Sequence, residues 1–130
     1  MLITREMDYS LRILRALHHS GQLSAAAVAQ QEHMQKAITL KLLNRLLAAG
    51  IVESRRGVSG GYFLTRRCED LSIYDVFQSI GEPPLLNRCL REGYECENFP
   101  RGGCGVCREL GRIQKTLDRE LQRTPLSDIF

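Results

Sequence analysis

Arg55-Arg56-Gly57-Val58-Ser59-Gly60-Gly61-Tyr62-Phe63-Leu64 is the stretch on which the reading of this chain turns. It opens on two cations, passes through glycines that supply backbone angles other residues avoid, and closes on a β-prone apolar run. Ile51-Val52-Glu53-Ser54 stands just before it as a second β-prone run. The two runs predict a hairpin whose tip is basic and glycine-rich.

Upstream of the hairpin the pattern is helical. Thr4 is a plausible N-cap for a helix running to about His19, with Met7, Leu11 and Leu14 on one stripe and Gly21 ending it. Ser24 caps a short second helix, Ala25 to about Gln31, and Leu23 can staple onto Val28. A turn at Glu32–Met34 leads to a third helix, Gln35 to Ala49, stopped by Gly50. Its expected core stripe is Ile38, Leu42, Leu46 and Ala49, widened by Leu43 and Leu47. Gln35, Lys36, Thr39, Lys41 and Asn44 are left as its polar positions.

Three helices followed by a basic hairpin is the order of a winged helix-turn-helix. A helix fits the major groove of B-DNA, and its N-terminal residues reach base edges. Arg55 and Arg56 on a hairpin tip can reach phosphates or a minor groove. The charge is placed accordingly. Residues 1–67 hold ten Lys/Arg against four Asp/Glu, a balance of +6, whereas residues 68–130 hold eight against eleven, a balance of −3. The basic half is the candidate for a polyanion.

Downstream, Leu71-Ser72-Ile73-Tyr74-Asp75-Val76 has the form of a capping box, with Ile73, Val76, Phe77 and Ile80 as the buried stripe and Gly81 and Pro83-Pro84 as the stop. Residues 85–106 read as loop. A long helix is expected from about Val106 to Arg123, with a narrow seam of Leu110, Ile113, Leu117 and Leu121 suited to a helix–helix contact. Thr124-Pro125 then starts a short final turn, Leu126–Phe130.

The chain has 130 residues and ordinary hydrophobic and charged content, which suits one domain or one domain with an extension. It has no apolar run long enough to span a bilayer, and Met1-Leu2-Ile3-Thr4-Arg5-Glu6 is charged early, without an apolar signal core. A cytoplasmic setting without membrane is therefore expected. In that setting cysteines point to metal or redox chemistry rather than to a disulfide framework. Four of the five cysteines, Cys89, Cys96, Cys104 and Cys107, fall within nineteen residues of loop. Soft thiolates gathered on a short segment suit zinc or iron. Cys104-Gly105-Val106-Cys107 is a CxxC knuckle, but the other pair has six intervening residues, so a zinc pattern is half formed. A thiol switch closing on oxidation is another possibility. A thiol oxidoreductase would use the same CxxC, but the βαβ surroundings such enzymes require are missing from the pattern. A cluster-carrier module that does not bind DNA is a further alternative. Cys68 stands apart as a packing residue, and His18, His19 and His33 follow no ligand spacing.

The segment Met34–Leu46, its continuation Ala48-Ala49-Gly50-Ile51-Val52, and the wing pattern Arg-Gly-x-x-Gly-Gly-Tyr-x-Leu at positions 56–64 together resemble the Rrf-two family of bacterial regulators. Asp8-Tyr9-Ser10-Leu11-Arg12 and the Ser72–Ile80 helix followed by Gly81-Glu82-Pro83 extend the resemblance over essentially the whole chain. The fold it implies is mostly α with a small β-hairpin wing: a winged helix-turn-helix over residues 1–67, then a cysteine loop and long C-terminal dimerisation helix over residues 68–130, in one compact unit. It implies a homodimer on a double-stranded, near-palindromic operator, and no enzymatic activity. It makes Gln35, Lys36, Thr39 and Lys41 candidates for major-groove contact and Arg55, Arg56, Gly60 and Gly61 the wing, with Leu110, Ile113, Leu117 and Leu121 at the dimer seam. It further implies an iron–sulfur cluster, of two or four irons, on the Cys89–Cys107 loop, with zinc as the alternative. Cys89, Cys96 and Cys107 match the family's three cysteines, and Cys104 is additional. The fourth ligand is then either Asp8 of the partner subunit or Cys104. Leu110 occupies the position where some members place a histidine ligand.

Overall fold

The structure is a computed structural model, and it describes residues 2–81, 83–99 and 103–130. Met1, Glu82 of the family-like Gly81-Glu82-Pro83 step, and residues 100–102 of the cysteine loop lie outside them.

Local capping sets the first helices. In α1 (Arg5–Ser20) the Thr4 hydroxyl accepts from the Met7 amide at 3.2 Å, and Gly21 at φ +76° ends the helix. In α2 (Ala25–Gln31) the Ser24 hydroxyl accepts from the Ala27 amide at 3.1 Å. The turn to α3 (Lys36–Ala48) passes through His33 at φ +52°, left-handed backbone that His tolerates better than most residues. Gln35 is the N-cap of α3 but makes no capping bond with its side chain, which is left exposed.

The α3 stripe is rotated from the expected one. Thr39, Leu42, Leu43 and Leu46 are buried, Ile38 is half-buried, and Leu47 and Ala49 are exposed. Thr39 takes a core position because its hydroxyl donates to the Gln35 carbonyl one turn back, at 3.0 Å, so no polar atom is stranded. Judging by polarity alone assigns it to the wrong face.

The hairpin pairs β2 (Val52–Arg55) with β3 (Gly61–Leu64), Val52 facing Leu64 and Arg55 facing Gly61. It is not two-stranded. A two-residue strand, β1 (Gln22–Leu23), joins the far edge of β3, giving an antiparallel sheet in the order β1-β3-β2. Gly61 makes this possible: a Cβ there would lie 2.7 Å from the Leu23 carbonyl oxygen, too close for any side chain.

After the sheet, Cys68–Asp70 forms a 3-10 turn and α4 (Ile73–Ser79) begins on the expected capping box, Ser72 and Asp75 each bonding the other's backbone amide. Val76, Phe77 and Ile80 are buried beside Met7, Ile13, Leu14, Leu17, Leu42 and Leu46 in one cluster. That core therefore draws from both halves of the chain. Leu126, in the short turn after α5 (Gly105–Arg123), is also fully buried, and its amide donates to the Leu71 carbonyl at 2.8 Å. Along α5 only Gln114 is buried; Leu110, Leu117 and Leu121 are half-buried and Ile113 is 40% exposed. No helix among the described residues is long and apolar enough to cross a membrane.

Candidate nucleic-acid face and cysteine cleft

The exposed end of α3 and the hairpin tip form one candidate surface. Gln35 and Lys36 are exposed in the first turn of α3, and Arg55 and Arg56 are exposed at the start of the wing. The Arg55 guanidinium lies over the Phe63 ring at 4.8 Å, which holds the exposed side chain against the sheet face. The Gln22 side-chain amide donates to the Ser59 carbonyl at 2.6 Å and so ties β1 to the wing tip.

Two expectations for this surface change. Thr39, expected as a groove contact, has no exposed surface and a satisfied hydroxyl; it packs in the core and cannot touch DNA. Lys41 is half exposed, but its ammonium is bound to Glu6 of α1 at 2.5 Å, and Arg45 binds the other oxygen of the same carboxylate at 2.6 Å. The Glu6 carboxylate thus clamps α3 onto α1 through two cations one helical turn apart. A further pair, Arg15 with the nearly buried Glu32, ties α1 to the start of the α2–α3 turn at 2.5 Å. Neither acid was a candidate from sequence, because the partners lie far along the chain. Gly60 and Gly61 are partly covered, and their role is close backbone packing that shapes the wing.

The hydrogen bond from Lys41, helped by the charge of Arg45, holds the Glu6 carboxyl below its usual value of 4.5. Its contribution is complete above the unfolded value and is lost as pH falls through the lower folded value. Glu6→Gln is therefore expected to reduce stability by about 1 kcal/mol at neutral pH and by nothing once wild-type Glu6 is protonated. Urea midpoints followed from neutral pH downward check this: the gap between the two proteins should close as the wild-type carboxyl protonates, and a gap that never closes in acid would mean that the clamp is not electrostatic.

The second feature is a cleft of about 690 Å³ lined by all four loop cysteines together with Tyr94 and Phe99. The Arg88–Leu90 turn presents Cys89, and the N-terminus of α5 presents the CxxC. Cys107 lies inside the first turn of α5 rather than before the helix, and Cys104 is the N-cap, its sulfur accepting from the Cys107 amide at 3.5 Å. The Cys107 thiol reaches the Cys89 carbonyl at 3.6 Å. Contact with Cys89, then partial desolvation, then the charge that Cys89, Cys104 and Cys96 would carry push the Cys107 thiol above its ordinary value.

As the loop stands, no three His, Cys, Asp or Glu side chains among the described residues are at metal-ligand spacing. The donor set suits a soft metal, and filling it would need the loop to draw in. Asp8 does not line the cleft of its own chain; its half-exposed carboxylate pairs with Arg12 along α1 at 3.0 Å, and the expected ligand is the Asp8 supplied by a partner subunit. Gln114 was missed from sequence, where nothing distinguishes it from its neighbours. It accepts from the Leu86 amide at 2.8 Å and donates to the Pro84 carbonyl at 2.9 Å, pinning the start of the loop to the middle of α5. Cys68 is buried in the core, where desolvation raises its thiol, as suits a packing residue.

A helix-turn-helix with a basic three-stranded wing, followed by a long helix with an open apolar seam, defines a winged-helix DNA-binding protein. Among the described residues no strand feeds the CxxC helix as a thioredoxin-like enzyme would require: the sheet is antiparallel, and its last strand ends at Leu64. The profile of the Rrf2 family, described as an iron-dependent transcriptional regulator, matches residues 3–130, and the chain belongs to that family. It is thus a transcriptional regulator and not an enzyme. It is 30% identical over 134 aligned residues to the rrf2 protein of Nitratidesulfovibrio vulgaris, covering 100% of this chain and 87% of that one. Among solved structures it resembles CymR, the global cysteine regulator of B. subtilis, with a TM-score of 0.75 and 26% identity over 98% of this chain and 94% of that one. It shares its fold with IscR of T. potens at a TM-score of 0.73 and 21% identity, over 98% of this chain and 84% of that one.

Proposed function

We propose that the chain works in the cytoplasm as a homodimer on a palindromic operator, and that a cysteine-held iron–sulfur cluster sets its operator affinity. The observation that carries this reading is the convergence of Cys89, Cys96, Cys104 and Cys107 on one cleft at the N-terminus of the helix with the open seam. Leu110, Ile113, Leu117 and Leu121 would meet their two-fold mates along that seam, and the distance between the two α3 helices would follow from how the seams pack. Gln35, Lys36, Arg55 and Arg56 would make the DNA contacts, with Lys41 serving mainly to position α3. A bound cluster would supply a link that oxidants or reactive gases can break. The cysteines belong to two pieces of chain, the Arg88–Leu90 turn with its following loop and the first turn of α5, so joining them fixes the loop against the dimer helix. Gln114 ties the near end of that loop to the middle of α5.

Anaerobic purification tests this. Wild-type protein is expected to hold iron and acid-labile sulfide, with visible charge-transfer absorption, and to bind a DNA site selected from a random pool. Cys107→Ser protein should lose the iron and sulfide and change its affinity for that site by about tenfold or more, a coupling of about 1.4 kcal/mol or more. Equal affinity of loaded wild type and this variant would overturn the coupling. A second reading, a zinc site or a thiol switch, is favoured by the placement of Cys104 and Cys107 on the same helical turn. Protein that is colourless after reconstitution, yet binds zinc or closes a disulfide with a change in DNA affinity, would replace the cluster by that reading.

A further inference from the structure

We infer that Glu6 is a built-in competitor of DNA phosphate: its carboxylate takes the place beside Lys41 and Arg45 that a phosphate would otherwise fill, and so limits how tightly α3 attaches to DNA. The inference rests on reading α3 and the wing as the DNA face. It goes further by giving an acidic residue of another helix control over the strength of that face. Ala37, Lys41, Asn44 and Ala48 recur at helical spacing along α3 and all are exposed, so they form one open stripe. Lys41 is the one cation of these four. Its ammonium is bound to one Glu6 oxygen at 2.5 Å, and the Arg45 guanidinium, a turn further on, to the other at 2.6 Å.

Arginine and lysine bind carboxylate and phosphate oxygens by the same charge-assisted hydrogen bonds. Two cations closing on two oxygens of one anion is therefore a phosphate-binding arrangement that a carboxylate already occupies. The group is also open to solvent. The Lys41 and Arg45 side chains keep 51% and 35% of their surface exposed, against 23% for Glu6, so the cations are its accessible members. The Arg15–Glu32 pair differs on this point: Glu32 is only 7% exposed and its partner lies on α1, so that pair serves the packing of α1 against the turn. Ion pairs as exposed as those of Glu6 hold weakly. Their stabilising effect on the fold is small, whereas their effect on a surface that must attract phosphate is direct.

Fluorescence anisotropy over a range of salt, with a labelled duplex of scrambled sequence, tests this. Glu6→Gln keeps the size of the side chain and removes its charge, and circular dichroism checks that the fold is kept. The variant is expected to bind the scrambled duplex more tightly than wild type, with a log–log salt slope steeper by about 0.9 to 1.8, one or two further phosphates. A gain of this kind is diagnostic, because loss of a contact that merely positions α3 weakens binding and steepens nothing. Adding Lys41→Gln to Glu6→Gln is expected to take back about 0.9 of the slope. Glu120→Gln is the control for overall charge: it frees Arg123, its partner at 3.4 Å on α5, outside the proposed DNA face, and is expected to bind as wild type does. Glu6→Gln that binds no more tightly than wild type, or Glu120→Gln that gains as much, would overturn the inference. An Arg55→Ala/Arg56→Ala protein with undiminished binding would end the DNA-face reading and the inference with it. Weakened binding in that protein beside an unchanged Glu6→Gln would end the inference alone.

Discussion

Gly60→Ala protein is expected to bind its DNA site at least about tenfold more weakly than wild type while melting at nearly the same temperature. A Cβ at Gly60 would lie 2.3 Å from the Arg55 carbonyl oxygen and 2.9 Å from both the Gly57 oxygen and the Arg56 carbonyl carbon. All three are backbone atoms, so no side chain can rotate out of the way. The loop is also closed there by the bond from the Gly60 amide to the Gly57 carbonyl at 3.0 Å. Strain of this type costs about 1–3 kcal/mol, and the wing can relieve it by opening locally rather than by unfolding the core. Opening displaces Arg55 and Arg56, the wing's only cations among residues 51–64, so the loss falls on DNA affinity. Ser59→Ala is the control: its neighbour Gln22 uses the Ser59 backbone carbonyl, which the substitution leaves in place. Fluorescence anisotropy with labelled DNA, beside a thermal melt, reads both quantities. Unchanged affinity in Gly60→Ala would show that the wing tip does not contribute to binding.

The largest stability loss is expected from Phe77→Ala. Phe77 is 1% exposed and lies in the cluster that joins α4 to α1 and α3. Emptying such a site costs about 3–5 kcal/mol, a large share of the roughly 5–15 kcal/mol that holds a domain together. The location makes the shape of the melt informative. Met7, Ile13, Leu42 and Leu46 come from the DNA-binding half and Leu71, Val76, Phe77 and Leu126 from the other, so both halves are expected to lose order in a single calorimetric transition at a lower temperature. A variant that melted in two steps, with the N-terminal half keeping its wild-type midpoint, would mean that residues 1–67 fold on their own.

The parts of this fold that could be read from sequence are those decided within a turn or two of chain. Thr4, Ser24 and the Ser72/Asp75 box mark helix starts because each hydroxyl bonds an amide three residues on. The wing could be read from its glycines. The errors have a common origin in contacts between distant residues. Thr39 reads as an outward polar position by residue type, and the resemblance makes it a groove contact, but the bond to Gln35 lets it sit in the core. β1 has two residues and no period of its own; it exists because Gly61 lets a strand approach. Glu6 is 35 residues from Lys41 and 39 from Arg45, and nothing near any of them announces the clamp. The cysteine loop was legible as a set of soft ligands by residue type and closeness in sequence. Its arrangement was not, since the role of Cys104 follows from where α5 begins, and that helix starts one residue earlier than Val106.

The Glu6 and Glu32 pairings have a consequence for how the protein travels along a chromosome. The N-terminal half holds ten cations by count, but Lys41, Arg45 and Arg15 are each already matched to a carboxylate within the fold, and Arg12 to Asp8. A cation neutralised at home displaces no counterion from a phosphate, and each phosphate neutralised steepens the salt dependence by about 0.9 in log–log slope. If α3 and the wing face the DNA as proposed, loose, sequence-blind attachment would draw mainly on Lys36, Arg55, Arg56 and a few neighbours. A regulator built this way would hold random DNA lightly and leave it soon, so that base contacts rather than bulk charge would govern the time spent at any one place.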